Sequence, residues 1–434
     1  MWSIMIRGWL IRAIVVVASI GSALILAEIV LRVSGLAAMP VESQPPYPPS
    51  YFVRTEGNGF DISERFPEAE FKLLDYVRLY KQPFKVWSNE LGCFDGPLES
   101  GHGTVFLVGD SFTWGYVPFE ATWGTIVERE AGIRVAKCGV TAYGTILERI
   151  KVEKLARRIG RPAVVVVGYF VGNDLEDDYL FPRVTVSEGY LATRASLSNE
   201  VTGTQVVRTE AEIKAAAQEA LQDPRGLGLV KRFVAWHSVT YNLLRNNAVL
   251  RKVMWQMGLA EPPPISLVPL VFRPTDRYPW LEQAWKDHLN NLREMQRVAH
   301  DLGAQLLVVV IPTREQVYEF LRPRDDEAQW EQPNTRLRTF FEAEQIYSLD
   351  LLREFQARAR QTPRRELDPV HDLYWPVDRH FNIAGNRLAG LLVSRYLLEH
   401  RLVDPLDRQQ RLARVVRELA GTAASVTAQT LHSK

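Results

Sequence analysis

Apolar and polar positions along the chain follow two rhythms that predict its central architecture. Short runs of β-branched and apolar residues recur at TVFLV (104–108), IRVAK (133–137), AVVVVG (163–168) and AQLLVVVI (304–311). Strands that are apolar throughout and alternate with helices predict a parallel sheet covered on both faces. Between them, GTILERIKVEKLARRIG places Ile146, Ile150, Leu155 and Ile159 at helical spacing, with Gly160 to end the helix. FEATWGTIVEREAG supplies a shorter helix, and WLEQAWKDHLNNLREMQRVAHDLG repeats the pattern through Trp285, Leu292, Met295, Val298 and Leu302. The predicted fold is three-layer α/β/α around a doubly wound parallel sheet.

Three regions depart from this rhythm. Near the start, Arg7 and Arg12 precede AIVVVASIGSALILA (13–27), a run without charge that continues as EIVLRV. It predicts a membrane helix over residues 10–31, close to the roughly 20 residues a bilayer requires, with a cleaved signal peptide or a buried core helix as alternatives. Two arginines before the span and one after it place residues 1–9 in the cytoplasm and everything beyond the helix outside it. PVESQPPYPPSY follows, and its proline content predicts an extended linker within a linker and lead-in of residues 32–87. A catalytic-type domain over 88–400 then carries an insertion at 181–275, read as a mostly helical cap with an Ala-rich helix at 211–221. Residues 401–434 form a C-terminal helix and tail. There Leu412, Val415, Val416 and Leu419 make an apolar stripe among Arg408, Arg411, Arg414 and Arg417, with Gly421 as the stop. A solvated surface helix is expected, with contact to anionic lipid as the alternative.

At 434 residues the length suits one enlarged α/β domain with an insertion, or two or three smaller units. The net charge of +1 gives no electrostatic reason to expect a nucleic-acid partner. Only Cys93 and Cys138 are present, so no disulfide framework supports the fold. They could pair in an oxidising compartment, but two small buried thiols are the expected state.

The chemistry concentrates where strands end. VFLVGDSFTWG (105–115) stops a buried strand on Gly109, Asp110 and Ser111, delivering the serine to the carboxyl edge of the sheet. A following helix can present free amides beside it, which suits attack on a carbonyl, although Gly-Asp-Ser is also good turn chemistry. KCGVTAYGT (137–145) places Gly139 at the same edge, and YFVGNDLEDD (169–178) places Asn173 and Asp174 there. The amides of Ser111 and Gly139, with the side-chain amide of Asn173, could form a three-donor oxyanion hole. Asp110 and Asp174 are expected to face substrate. Near the C-terminus WPVDRHFNIAGNRLAG offers His380 as a base and Asp378 as its orienting acid, before a helix capped by Asn382. His371 with Asp372 is the competing pair. A metal site would have to use Asp174, Glu176, Asp177 and Asp178, but that run holds no histidine at ligand spacing, so no metal is expected. The serine also lacks the Gly-x-Ser-x-Gly elbow of α/β-hydrolases.

Taken in chain order, these four blocks resemble the SGNH (GDSL-type) hydrolase superfamily over residues 88–395. The resemblance implies a flavodoxin-like sheet, Ser111 as nucleophile and first oxyanion donor, Gly139 and Asn173 as the other donors, and His380 as a base oriented by Asp378. It implies no cofactor. SNELGCFDG and VVVIPTREQVY look like a membrane-anchored bacterial branch linked to acylation of cell-surface polysaccharide. Lys137, Ala142 and Val171 depart from the usual second and third blocks. One residue rather than two separates Asp378 from His380, as in the alginate O-acetyltransferase relatives. The implied activity is esterase or O-acetyltransferase chemistry on a glycan in the periplasm or outside the cell, with a multispanning membrane acyltransferase as partner where transfer is the reaction. The alternative is a non-catalytic glycan-binding or scaffold protein of an exopolysaccharide assembly system.

Overall fold

A computed structural model describes residues 21–30, 47–55, 59–98, 105–179, 184–187, 190–193, 270–276, 279–322, 328–360 and 367–431, with the single residues 15, 19 and 181. Contacts divide the chain into two units. The first, Met1–Pro45 with Ala220–Ile265, is described only at residues 15, 19 and 21–30. Residues 21–30 are helical, and Leu24, Ile25, Leu26, Ile29 and Val30 are exposed. About half of the expected anchor lies outside the described residues, and among the described residues no helix is long and apolar enough to cross a membrane.

The second unit begins with an aromatic lead-in. β1 (Phe52–Val53) pairs antiparallel with β2 (Asp61–Ile62), and β3 (Ala69–Phe71) with β4 (Phe84–Val86). α1 (Leu74–Tyr80) lies between β3 and β4. The expected linker therefore ends earlier than its proline content suggests: Tyr47 and Tyr51, inside the proline-rich stretch, are buried and pack with Phe52, Phe60, Phe71, Trp114 and Tyr116. Aromatic burial outweighs the extended preference of the neighbouring prolines.

The main sheet contains β5 (Val105–Gly109), β6 (Val135–Lys137), β7 (Val164–Phe170), β10 (Gln305–Ile311) and β11 (Tyr347–Asp350), all parallel, with a β8–β9 hairpin (Val184–Ser187, Tyr190–Thr193) outside it. Its spatial order is β11-β10-β7-β5-β6. Counted within the sheet this is 2-1-3-4-5, the flavodoxin-like winding, whose direction reverses between β5 and β7. Alternate residues of one strand enter opposite cores, as their period of two requires. Phe106, Val108, Val165 and Val167 join α4 (Thr145–Ile159), α6 (Pro279–Asp301) and α8 (Gln332–Ala343); Val105, Leu107, Val164 and Val166 join α3 (Trp123–Ala131) and α10 (Ile383–Glu399). Burying each such side chain contributes about 1.5–3 kcal/mol, so both parities are needed to hold helices on both faces.

Several expectations change. β11 was not expected, because YSLD is a half-exposed edge strand without an apolar run. On α4 the buried face is Leu147, Glu148, Lys151, Val152, Leu155 and Ile159, rather than one through Ile146 and Ile150. The reason is ionic: Lys151 Nζ donates to Asp61 at 2.8 and 3.0 Å and to the carbonyls of Leu91 and Gly92, tying α4 to the lead-in. Gly421 does not stop the C-terminal helix, which runs from Arg408 to Leu431 as α11. Val415 is buried, and α11 packs on α3 and α10, so packing outweighs the roughly 1 kcal/mol a glycine costs. Cys93 and Cys138 form a disulfide that joins the segment between β4 and β5 to the loop after β6, where two thiols were expected. Nothing in a separation of 45 residues announces such a pair; folding brings their Cα atoms to 4.4 Å. Of the expected helical cap, the hairpin at its start and residues 270–276 are described; the helix expected at 211–221 lies outside the described residues.

Candidate active site

Ser111 stands where β5 meets the four-residue helix α2 (Ser111–Trp114), beside the reversal of sheet winding. Gly109 makes the corner possible. Its φ is 154°, and a Cβ there would lie 2.1 Å from Thr113 Oγ1 and 2.8 Å from the Gly168 carbonyl. Asp110 caps α2 by accepting from the Phe112 amide at 2.8 Å, and its other oxygen lies 3.2 Å from Ser111 Oγ. Burial pushes its carboxyl up to about 6, opposed first by the nearby His380 and then by the bond from Phe112.

His380 Nε2 lies 2.7 Å from Ser111 Oγ, and His380 Nδ1 lies 2.7 Å from Asp378 Oδ1. This is a Ser-His-Asp relay with each partner in hydrogen-bond reach of the next. The imidazole and carboxylate side chains are 18% and 16% exposed, so the relay is reachable from solvent without being bathed in it. Tyr116 stacks on the imidazole at 3.8 Å and 4°, Phe112 packs at 4.8 Å and 47°, and the Tyr116 hydroxyl accepts from Tyr47 at 3.0 Å. Arg379, between Asp378 and His380, adopts the left-handed region at φ 80°. The turn around it is closed by the His380 carbonyl, which accepts from the Trp375 amide at 2.8 Å, and by pairing of Tyr374 with Phe381. The competing pair is elsewhere: His371 bonds Asp368 at 3.1 Å and is exposed. Asn382 does cap α10, accepting from the Gly385 amide at 2.9 Å.

The three expected oxyanion donors lie after the carboxyl ends of neighbouring strands, Ser111 after β5, Gly139 after β6 and Asn173 after β7. The Cys138 and Val140 amides bond the Leu107 and Gly109 carbonyls, and Gly139 between them packs against α2. A Cβ on Gly139 would lie 2.5 Å from the Trp114 nitrogen, a close approach that only glycine permits. Asn173 donates one amide hydrogen to Asp177 at 2.8 Å and keeps a second.

Two expectations at this edge fail. Asp110 and Asp174 were expected to face substrate, yet both are fully buried and hold backbone. Asp174 accepts from the Phe170 amide at 3.0 Å and lies in a buried acidic group with Glu148. Burial and the neighbouring carboxyls hold Asp174 and Glu148 well above the usual carboxylate range. Tyr116 and Tyr47 were missed, because stacking on a histidine hundreds of residues away leaves no local pattern. Among the described residues no cluster of histidine, cysteine and carboxylates could hold a metal ion.

No protein-family model and no curated protein matches the sequence. Solved structures with a similar course include a member of the lipolytic G-D-S-L family from Veillonella parvula DSM 2008, with 10% identity over 69% of this chain and 97% of that one at a TM-score of 0.33. An acetyl xylan esterase follows at 10% identity over 67% and 97%, TM-score 0.31. An acetyl-xylooligosaccharide esterase variant from Geobacillus Stearmophilus has 11% identity over 71% and 97%, TM-score 0.32. Likeness at this level decides nothing about the reaction, which rests on the geometry of this chain's own residues.

Proposed function

We propose that the chain is a serine esterase or acyltransferase working through an acyl-enzyme on Ser111. The observation that carries this reading is the continuous relay from Ser111 Oγ through the His380 ring to Asp378, with 2.7 Å at each step. His380 Nε2 takes the hydroxyl proton as Oγ attacks the ester carbonyl, and Asp378 stabilises the imidazolium that forms. The oxyanion collects on the Ser111 and Gly139 amides and the free amide hydrogen of Asn173. Collapse expels the alcohol, which receives the proton from His380 and leaves the acyl group on Ser111. Water or a sugar hydroxyl then repeats the sequence in reverse, giving an acid or a new ester. One oxyanion donor contributes about 3–4 kcal/mol to such a step.

The substrate proposed is an O-acyl, chiefly O-acetyl, glycan outside the cytoplasm. The Cys93–Cys138 disulfide supports an oxidising compartment. The exposed apolar side chains of residues 21–30 support attachment of the N-terminal segment to a membrane. A transferase in that compartment needs an acyl supply, and a multispanning membrane acyltransferase would provide it.

The test uses the full chain in detergent with p-nitrophenyl acetate, alone and with mixed oligosaccharides, while mass spectrometry follows the acetyl group. Ser111-dependent release of acetate to water establishes an esterase, and Ser111-dependent acetylation of sugar establishes a transferase. Substituting Ser111→Ala is expected to lower turnover by at least about 10⁴-fold. Equal activity in the variant would overturn the reading and leave the glycan-binding alternative.

A further inference from the structure

The relay's acid does not sit on a rigid element. Asp378 belongs to the loop from Trp375 to His380, and its carboxylate is aimed at His380 only as well as that loop is held. One buried side chain holds it from far away in sequence. Asp75, in the first turn of α1, is 6% exposed, and its Oδ2 accepts from the amides of Val377 at 3.0 Å and Asp378 at 2.8 Å.

A carboxylate in the first turn of a helix ordinarily serves that helix. Here it does not serve as the cap: the N-cap position is Leu73, without a side-chain cap bond, and the Asp75 oxygen reaches out to the loop instead. Two charge-assisted bonds to consecutive amides fix the direction of the peptide plane from which the Asp378 side chain departs. Surrounding contacts secure the same loop: Arg314 Nη1 donates to the Pro376 carbonyl at 2.8 Å, and Trp375 Nε1 to the Tyr116 carbonyl at 3.1 Å. Among the described residues of the lead-in, Asp75 is the one whose side chain bonds the Asp378 backbone. Burial raises its carboxyl, with the two amide bonds opposing and the Asp378 charge adding to the rise. Placing a second carboxylate beside the relay's acid has an electrostatic cost, which a fold without need of the contact would avoid by an uncharged acceptor.

We propose that Asp75 is a positioning residue of the relay, holding the Asp378 carboxylate in line with the His380 imidazole through the amides of Val377 and Asp378. The lead-in is then part of the catalytic machinery. The proposal rests on the Ser111 acyl-enzyme reading.

The experiment compares full-length wild type, Asp75→Ala and Asp75→Asn by ester hydrolysis normalised to the number of Ser111 sites titrated with a fluorophosphonate. It also records the low-field proton NMR signal of the His380 Nδ1 hydrogen. Loss of the acceptor in Asp75→Ala is expected to lower kcat per titrated site by about 10–100-fold with KM unchanged, since an error near 1 Å in a catalytic group can cost 10²-fold. The low-field signal should shift or broaden. Asp75→Asn, isosteric and with a neutral acceptor, should lose only a few-fold, a partial rescue that misfolding would not produce. If Asp75→Ala keeps wild-type kcat per site and an unmoved signal, the proposal is overturned. If Asp75→Ala does not accumulate as folded protein, Asp75→Leu, which fills the space without an acceptor, takes its place, and unchanged kcat and signal in it overturn the proposal equally. A wild type without Ser111-dependent labelling overturns the acyl-enzyme reading itself, and the positioning role with it; labelled wild type beside an indifferent Asp75→Ala sinks the positioning role alone.

Discussion

The two halves of the relay are held in opposite ways. Ser111 is placed by its own neighbours: β5 ends at Gly109, Asp110 caps α2, and Gly115 closes the turn by bonding back to the Ser111 carbonyl at 3.0 Å. Asp378 and His380 are placed by distant parts of the chain, with Asp75 on the backbone, Tyr116 on the ring and Arg314 on the Pro376 carbonyl. The serine corner is a local structure and the histidine loop a tertiary one. Changes at the serine corner should therefore register as stability, and changes around the histidine loop as turnover per folded site.

The largest expected effect tests the local half. Gly109→Ala places a Cβ 2.7 Å from Thr113 Cβ and 2.8 Å from the Gly168 carbonyl, neither of which can move without β7 or α2. A loss of about 3 kcal/mol or more in urea unfolding is expected. A variant of wild-type stability would show that the corner is not locally determined.

The next effect appears in the pH dependence of that half. Asp110 has its folded carboxyl raised to about 6 from an ordinary 3.8, chiefly by burial. The stability contributed by its neutral form is present below about pH 4 and is lost as pH rises through about 6. Asp110→Asn keeps the cap and does not titrate, so relative to it the wild type should weaken by on the order of 1–3 kcal/mol between pH 4 and 7. Thermal melting of both proteins across that range checks the sign; parallel curves would remove the titration from the account.

The smallest effect sharpens the tertiary half. Arg379 holds φ 80°, a region that costs an ordinary residue about 1 kcal/mol relative to glycine. Arg379→Gly should change stability by less than about 1 kcal/mol and leave kcat per site within a few-fold, because the loop is held by remote contacts. A loss of turnover as large as that expected of Asp75→Ala would show that the arginine side chain, rather than the loop backbone, takes part in the reaction. Such a result would move Arg379 into the site.

Much of this was legible because it is short-range. Val105, Val164 and Leu306 lie in runs whose period announces buried parallel strands, and Gly-Asp-Ser at the end of one announces a corner. The lead-in was not legible: its prolines read as an extended linker, whereas Tyr47 and Tyr51 are core. Asp110 and Asp174 were misread because a carboxylate at a strand end serves substrate or backbone equally well in sequence. Only burial separates the two.

By itself the sequence determined four of the five strands of the sheet and three of the helices beside them, the position of Ser111 at a strand end, and His380 and Asp378 as neighbours in one loop. Those follow from periodicity and turn chemistry, which act over a few residues. Tertiary structure alone decided that Cys93 meets Cys138, that Lys151 is buried on Asp61, that Tyr116 stacks on His380, and that Asp75 reaches the Asp378 amide. Each of these joins residues from separate elements, and their energies depend on distance and burial in the folded chain, neither of which local spacing carries.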